Sequence, residues 1–145
     1  MNGITTRVVT HTSPEYQQIW DVREEVLRKP LGMSLKNEDL SGDAEDKIVI
    51  AVDNDKVIGC VMMHPKENGV LKLRAMGVYE QYQGKGVGRL LIHAAEKEAA
   101  GDGYKKIDLH ARMVAKVFYE KLGYTPVGDI FIEVGIPHVL MEKEL

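Results

Sequence analysis

The chain holds a single cysteine, Cys60, among its 145 residues. One thiol excludes an intrachain disulfide and leaves no metal site built on paired cysteines. Cys60 lies in the apolar run Val57-Ile58-Gly59-Cys60-Val61-Met62-Met63, and reads as a buried structural thiol rather than a nucleophile. Long apolar runs are missing too. None approaches the roughly 20 residues that cross a bilayer, and Met1-Asn2-Gly3-Ile4-Thr5-Thr6-Arg7 lacks the apolar segment of a secretory leader. The expectation is a cytoplasmic protein with no membrane contact. Neither sign of charge dominates: the formal net charge is -3, which gives no global pull toward nucleic acid. Repeats, linkers and low-complexity stretches are absent as well. A chain of this length without them is expected to be one domain, residues 1–145, around one core.

What is present alternates between strand and helix patterns. Ile4 to Thr10 reads as a first strand. Ser13-Pro14-Glu15 carries the signs of a helix start, with Ser as N-cap and Pro at the first position. The stripe Ile19, Trp20, Val22, Arg23, Val26 and Leu27 then follows a helical period up to Pro30. Residues 34–46 are rich in Asp and Glu and read as an acidic loop with room for one short helical turn; the part from 38 to 46 reads as solvated, or as a negative rim that would attract cationic amines. Lys47 to Val52 and Lys56 to His64 are apolar strands joined by the turn residues Asp53-Asn54-Asp55. Glu67-Asn68-Gly69 turns into a further strand, Val70 to Val78. A helix from about Gly86 to Ala100 buries Val87, Leu90, Leu91, Ala94 and Ala95. Lys105 to Ala111 is a strand, and Arg112 to Leu122 a helix whose stripe Val114, Val117, Phe118 and Leu122 faces a core. Thr125 to Phe131 and His138 to Glu142 complete the pattern as strands.

The stretch Gln83-Gly84-Lys85-Gly86-Val87-Gly88-Arg89 joins a strand to a helix. Glycines there permit positive φ and close approach of the backbone to a ligand. The helix start presents unpaired N–H groups at the positive end of its dipole, a setting for phosphate. The same residues also suit a plain helix entry with two solvated cations. No Gly-Lys-Ser/Thr follows, so this is not a Walker loop, and Arg89 stands where the dinucleotide fingerprint needs its third glycine. Tyr119 lies on a different side of its helix from Val117 and Phe118, where its phenol could reach a cleft or simply edge the helix. On the strand after Lys105, Asp108 and His110 share one face.

Taken together, Gln83-x-x-Gly86-x-Gly88, the strand ending at Val78, and Phe118-Tyr119-Glu120-Lys121-Leu122-Gly123-Tyr124 resemble the GNAT superfamily of acyl-CoA-dependent N-acyltransferases. Glu133 to Met141, with Leu109-His110-Ala111, is similar to its small bacterial ElaA-like branch. The likeness spans about residues 4–145 and is strongest from 70 to 141. It implies the α/β (α+β) GNAT fold: a mixed, mostly antiparallel sheet of six to seven strands with helices on both faces. The implied order is β-α-β-β-β-α-β-α-β-β.

The resemblance also implies a reaction. An acetyl group would pass from acetyl-CoA to a primary amine by direct attack in a ternary complex, with no metal. Gly84, Lys85, Gly86, Val87, Gly88 and Arg89 would hold the CoA pyrophosphate, with Gln83 in the same turn. Met76, Gly77 and Val78 would run beside the pantetheine arm, and a backbone N–H there would stabilise the oxyanion. Tyr119 matches the general-acid position. The base is open among Glu133, His138, His110 and Asp108. Two departures stand out: Glu80 replaces a frequent proline, and Lys72-Leu73-Arg74-Ala75-Met76 lacks the glutamate many members carry. That second departure leaves room for a non-catalytic acetyl-CoA-binding regulator. A general nucleotide-binding module is a further reading. Exposed terminal strands could support a homodimer.

Overall fold

A computed structural model describes residues 3–145. Met1 and Asn2, the start of the segment read above as lacking a leader, lie outside the described residues. Strands β1 (Ile4–Val9), β2 (Lys47–Asp53), β3 (Lys56–Pro65), β4 (Val70–Val78), β5 (Lys106–Arg112), β6 (Thr125–Glu133) and β7 (Ile136–Glu144) form one sheet. Their spatial order is β1-β2-β3-β4-β5-β7-β6. Among the described residues β4 and β5 are parallel, and every other neighbouring pair is antiparallel. The parallel step is the crossover through α2 (Val87–Gly101). The mixed sheet and the element order match the expectation.

Period-two alternation assigns each strand residue to a face. On one face Ile48, Ile50, Val52, Cys60 and Met62 pack with Ile19 and Val22 of α1 (Tyr16–Arg23). On the other, Val49, Ala51, Val61, Leu71 and Ile107 pack under Val87, Leu91, Ile92, Ala95 and Ala99 of α2. Tyr119 and Leu122, in and just after α3 (Lys116–Lys121), join that second layer. Cys60 is fully buried and burial pushes its thiol up to about 12, which suits a packing role.

Several local expectations are corrected. Ser13 does not cap α1; it closes a turn, its Oγ accepting from the Thr10 N–H and its carbonyl from the Tyr16 N–H. The helix begins at Tyr16 and runs on as a π-helical segment, Glu24–Arg28. Leu90 is exposed while Ile92 takes its place in the core. Residues 113–115 form a 3-10 turn rather than the first turn of α3. That shifts the helical phase, so Val114 and Val117 are 94% and 60% exposed and Tyr119 faces inward with Leu122. The last hairpin turns at Val134 and Gly135, both at positive φ (47° and 75°). Ile136 and Pro137 belong to β7, not to the turn.

Candidate active site

The site begins where two strands part. β4 and β5 stay in register from Val70 opposite Lys106 to Leu73 opposite Leu109. Beyond that β5 continues with β7 and β4 with β3. A bulge separates them: Arg74 pairs with Met62 and Gly77 with Cys60, so β4 carries one residue more than β3, and Ala75 sits at φ 52°. The extra residue bends and twists β4. The edge of β4 from Ala75 to Val78 therefore has no strand neighbour on the β5 side, and a cleft opens there.

A cavity of about 620 Å³ occupies one side of the cleft, lined by Met76, Gly77 and Val78, by the turn Gln83 to Arg89 apart from Lys85, and by Phe118 of α3. Gly84 and Gly86 have φ of 75° and 83°, the left-handed region that glycine enters without a Cβ penalty. Gly86 is the N-cap of α2, and no side chain caps that end. The first N–H groups of the helix are thus left for a ligand or water. Gln83 donates from Nε2 to the Val78 carbonyl at 2.8 Å, which ties the turn to the end of β4. Lys85 and Arg89 are exposed. A Cβ on Gly88 would lie 3.3 Å from the Phe118 ring, so this glycine also lets α2 approach α3.

A second cavity, about 610 Å³, lies on the α1 side of the sheet, between β4, β5 and the β6–β7 hairpin on one side and Arg23 to Arg28 and the loop residues Glu38 to Asp43 on the other. It shares Met76 and Ala115 with the first, so the two meet at the cleft. Tyr119 lines it. Burial alone pushes the Tyr119 phenol up to about 12. Phe118 and Tyr124 hold its ring edge-on, at centroid distances of 5.0 and 5.8 Å.

Glu133, His110 and His138 meet in this second cavity. His110 Nδ1 lies 2.9 Å from Glu133 Oε2, and His138 Nε2 lies 3.8 Å from Oε1. The Phe131 ring contacts both imidazoles. His138 is buried, and its Nδ1 is 2.7 Å from the Ile136 carbonyl. A carbonyl only accepts, so Nδ1 carries a proton, and the ring turns Nε2 toward the Glu133 carboxylate. His138 Nε2 and Glu133 Oε1 face each other across 3.8 Å, longer than a direct hydrogen bond. Burial raises the Glu133 pKa, but the His110 hydrogen bond and the nearby charges of His110, His138 and Lys72 bring it below its ordinary value. Asp108 does not join this group; it is buried, and Lys66 binds its Oδ2 at 2.6 Å.

The acidic stretch is not a solvated loop. Asp43 and Asp46 are 2% and 3% exposed. Asp43 accepts from Arg23 at 2.7 Å, from Arg74 at 2.8 Å and from the Tyr16 hydroxyl. Asp46 binds Arg74 at 2.9 Å and His64 at 2.6 Å. A 3-10 turn, Ser41–Glu45, carries Asp43 and ends at Asp46, after a first 3-10 turn at Leu35–Asn37. The network walls the second cavity through Arg23, Asp43, His64 and Arg74. Sequence reasoning missed it, although an arginine inside the apolar stripe of α1 was its visible trace. On β4, where a family glutamate is often found, this chain has Arg74 in that network and the bulged Ala75. Among the described residues no group of three or more His, Cys, Asp or Glu is placed to hold a metal ion, and no helix is long and apolar enough to cross a membrane.

Comparison with known proteins agrees with this architecture. The N-acetyltransferase YjcF of Bacillus subtilis, itself uncharacterized, is 30% identical over 138 residues, covering 94% of this chain and 98% of that one. The crystal structure of Escherichia coli ElaA superposes with a TM-score of 0.85 at 19% identity, over 97% of this chain and 99% of that one. A GNAT family acetyltransferase of Elizabethkingia anophelis, solved with acetyl-CoA bound, superposes with a TM-score of 0.75 at 18% identity over the full length of both. The model of the Acetyltransferase (GNAT) domain family matches residues 13–145. With that match and the YjcF likeness, this chain belongs to the GNAT family of acyl-CoA N-acyltransferases.

Proposed function

We propose that this GNAT acyltransferase moves an acetyl group from acetyl-CoA to a primary amine by direct attack in a ternary complex, and that residues 1–145 act as one domain in the cytoplasm. The supporting observation is the meeting of two cavities at Met76 and Ala115, one lined mainly by backbone and apolar groups and the other by ionisable side chains. The first fits the donor. Its uncapped helix start and positive-φ glycines suit a pyrophosphate, and Lys85 and Arg89 stand beside it in solvent. The unpaired edge of β4 at Met76 to Val78 offers backbone groups to an extended chain such as pantetheine. Acetyl-CoA is also the ligand of the Elizabethkingia anophelis relative. When bound, it supplies an activated acetyl thioester.

The second cavity supplies the proton handling. The acceptor's amine nitrogen is assigned to the place beside Glu133 Oε1 and His138 Nε2, which lie 3.8 Å apart. His138 Nε2 takes the proton that the amine must lose when its bond to the acetyl carbon forms. His110 holds Glu133 in place. Tyr119, protonated throughout the neutral range because burial pushes it to about 12, gives its proton to the sulfur as the carbon–sulfur bond breaks, and the proton taken by His138 returns to the phenolate through solvent, so the net transfer is from amine to thiol. A phenol so far above neutrality is a donor and not a base, which divides the two roles between the two residues. The test is acetyl transfer to a panel of amines, read as release of free CoA thiol. Wild type transfers to at least one class, and His138→Gln and Tyr119→Phe each depress kcat while acetyl-CoA still binds. A protein that binds acetyl-CoA yet acylates no amine would favour a regulatory binding module instead.

A further inference from the structure

We infer that the acceptor amine carries a carboxylate or similar anionic group, held by Lys72 and Arg112. This rests on the transferase reading above and specifies its acceptor. Five Lys or Arg side chains and four carboxylates line the second cavity. Most are already matched. Arg23 and Arg74 are engaged by Asp43 and Asp46, Arg28 grips Glu38 through Nε and Nη2 at 2.6 and 3.2 Å, Glu133 is held by His110, and the fourth carboxylate, the exposed Asp39, accepts from the Ser41 N–H. Among the described residues Lys72 and Arg112 make no ion pair. Asp108 faces Lys72 in register; its Oδ2 goes to Lys66, and its buried Oδ1 has no hydrogen-bond partner among the described residues.

Both free cations flank the place assigned to the amine. Arg112 pairs with His138 across β5 and β7, so the two side chains share the open face of the sheet. Lys72 lies on the same face, two residues before Arg74 and opposite His64. A simple cationic amine would meet two cations here that have no ion-pair partner among the described residues. An amine with an anion a few bonds away satisfies both ends: its nitrogen completes the Glu133–His138 pair, and its anion completes Lys72 and Arg112. Charge-assisted bonds of this kind are the strong ones, and the planar guanidinium suits a carboxylate in particular.

The test compares α-amino acids with the amines left by removing their carboxyl group, and with their methyl esters. Wild type is expected to favour the free acid of each pair at least tenfold in kcat/KM. Lys72→Met and Arg112→Gln should each raise the acceptor KM about tenfold without moving the KM for acetyl-CoA, and Arg112→Lys should recover part of the loss. A second readout does not depend on turnover. In the presence of CoA, N-acetyl amino acids should bind by calorimetry and the matching N-acetyl amines should not. Equal treatment of acids and esters, preference for the decarboxylated amines, or no binding by either product set overturns the inference. Failure to bind acetyl-CoA at all sinks the transferase reading itself, whereas transfer to amines without regard to the carboxylate sinks only this acceptor class.

Discussion

The two cavities that meet at Met76 are built from different material. The donor side is mostly backbone: positive-φ glycines, an uncapped helix start and a strand edge without a neighbour. The acceptor side is mostly side chain, with charged groups gathered from α1, the 34–46 loop, β3, β4, β5 and the β6–β7 hairpin. Backbone sites tolerate changes in the surrounding side chains but are sensitive wherever a Cβ enters a positive-φ position. Side-chain sites depend on distant partners and fail when one buried charge loses another. The substitutions below exploit that difference.

The largest effect is expected at the junction. Tyr119→Phe removes one oxygen and keeps the ring that Phe118 and Tyr124 hold. Loss of a general acid lowers kcat by about 10² to 10⁴, while the KM for acetyl-CoA and the melting temperature should stay near wild type. Comparable kcat in the two proteins would remove Tyr119 from the reaction.

Next comes the acceptor wall. Arg23 and Asp43 are both almost fully buried. Arg23→Met keeps the volume and strands part of the Asp43 charge. Breaking a buried pair on one side costs about 3 kcal/mol or more, although Arg74 and Tyr16 still bind Asp43. Denaturant unfolding should show that loss. If the variant folds, its KM for acetyl-CoA should be unchanged and its acceptor KM raised. An acetyl-CoA defect of equal size would mean that the two cavities are not separable.

The donor side gives the reverse pattern. Gly86→Val puts a β-branched residue at φ 83°, a strain of about 1–3 kcal/mol. A Cβ at Gly86 meets no atom within 4 Å, so conformational strain is the whole effect. The KM for acetyl-CoA should rise about tenfold, with the acceptor preference kept. Gly84→Ala tests the same idea at φ 75° and should act more weakly, since alanine enters the left-handed region at less cost than a branched residue.

The contrast also explains what could be read from the sequence. A backbone site is written in consecutive residues, because the glycine spacing, the preceding strand and the helix start are all local. Gln83 to Arg89 could thus be placed before any coordinates. The alternation rule put Asp108 and His110 on one face, and that held, yet only His110 reached Glu133. Glu133 and His138 were expected together through a turn at Gly135-Ile136-Pro137; they meet, but through Val134 and Gly135. Asp43 and Asp46 looked like solvent-facing charges because their partners, Arg23, His64 and Arg74, are 18 to 31 residues away. The phase of α3 was misread for a smaller reason. A 3-10 turn advances three residues where an α-turn advances 3.6, which was enough to send Val114 and Val117 into solvent, while Tyr119 lines a cavity, the placement its helix side had suggested.

The smallest expected change, a limb of the pH profile that does not move, tests the surroundings of Tyr119 and Glu133. Burial raises the Tyr119 phenol to about 12, so it stays protonated until the pH nears that value. Glu133 lies below its ordinary range and stays ionised down through mildly acidic pH. Neither titrates between about pH 6 and 10, relative to reference values of about 4.3 and 10 for free Glu and Tyr. With the acceptor saturating, kcat should therefore show no alkaline fall as the pH passes 10. Tyr119→Phe should lower the whole curve without shifting its shape. A wild-type fall centred near pH 10 that vanishes in Tyr119→Phe, with circular dichroism showing the fold intact, would mean the phenol has its solvent value. The hydroxyl would then stand in water rather than in the apolar pocket between Phe118 and Tyr124, and its role as a proton donor held inside the cleft would be lost.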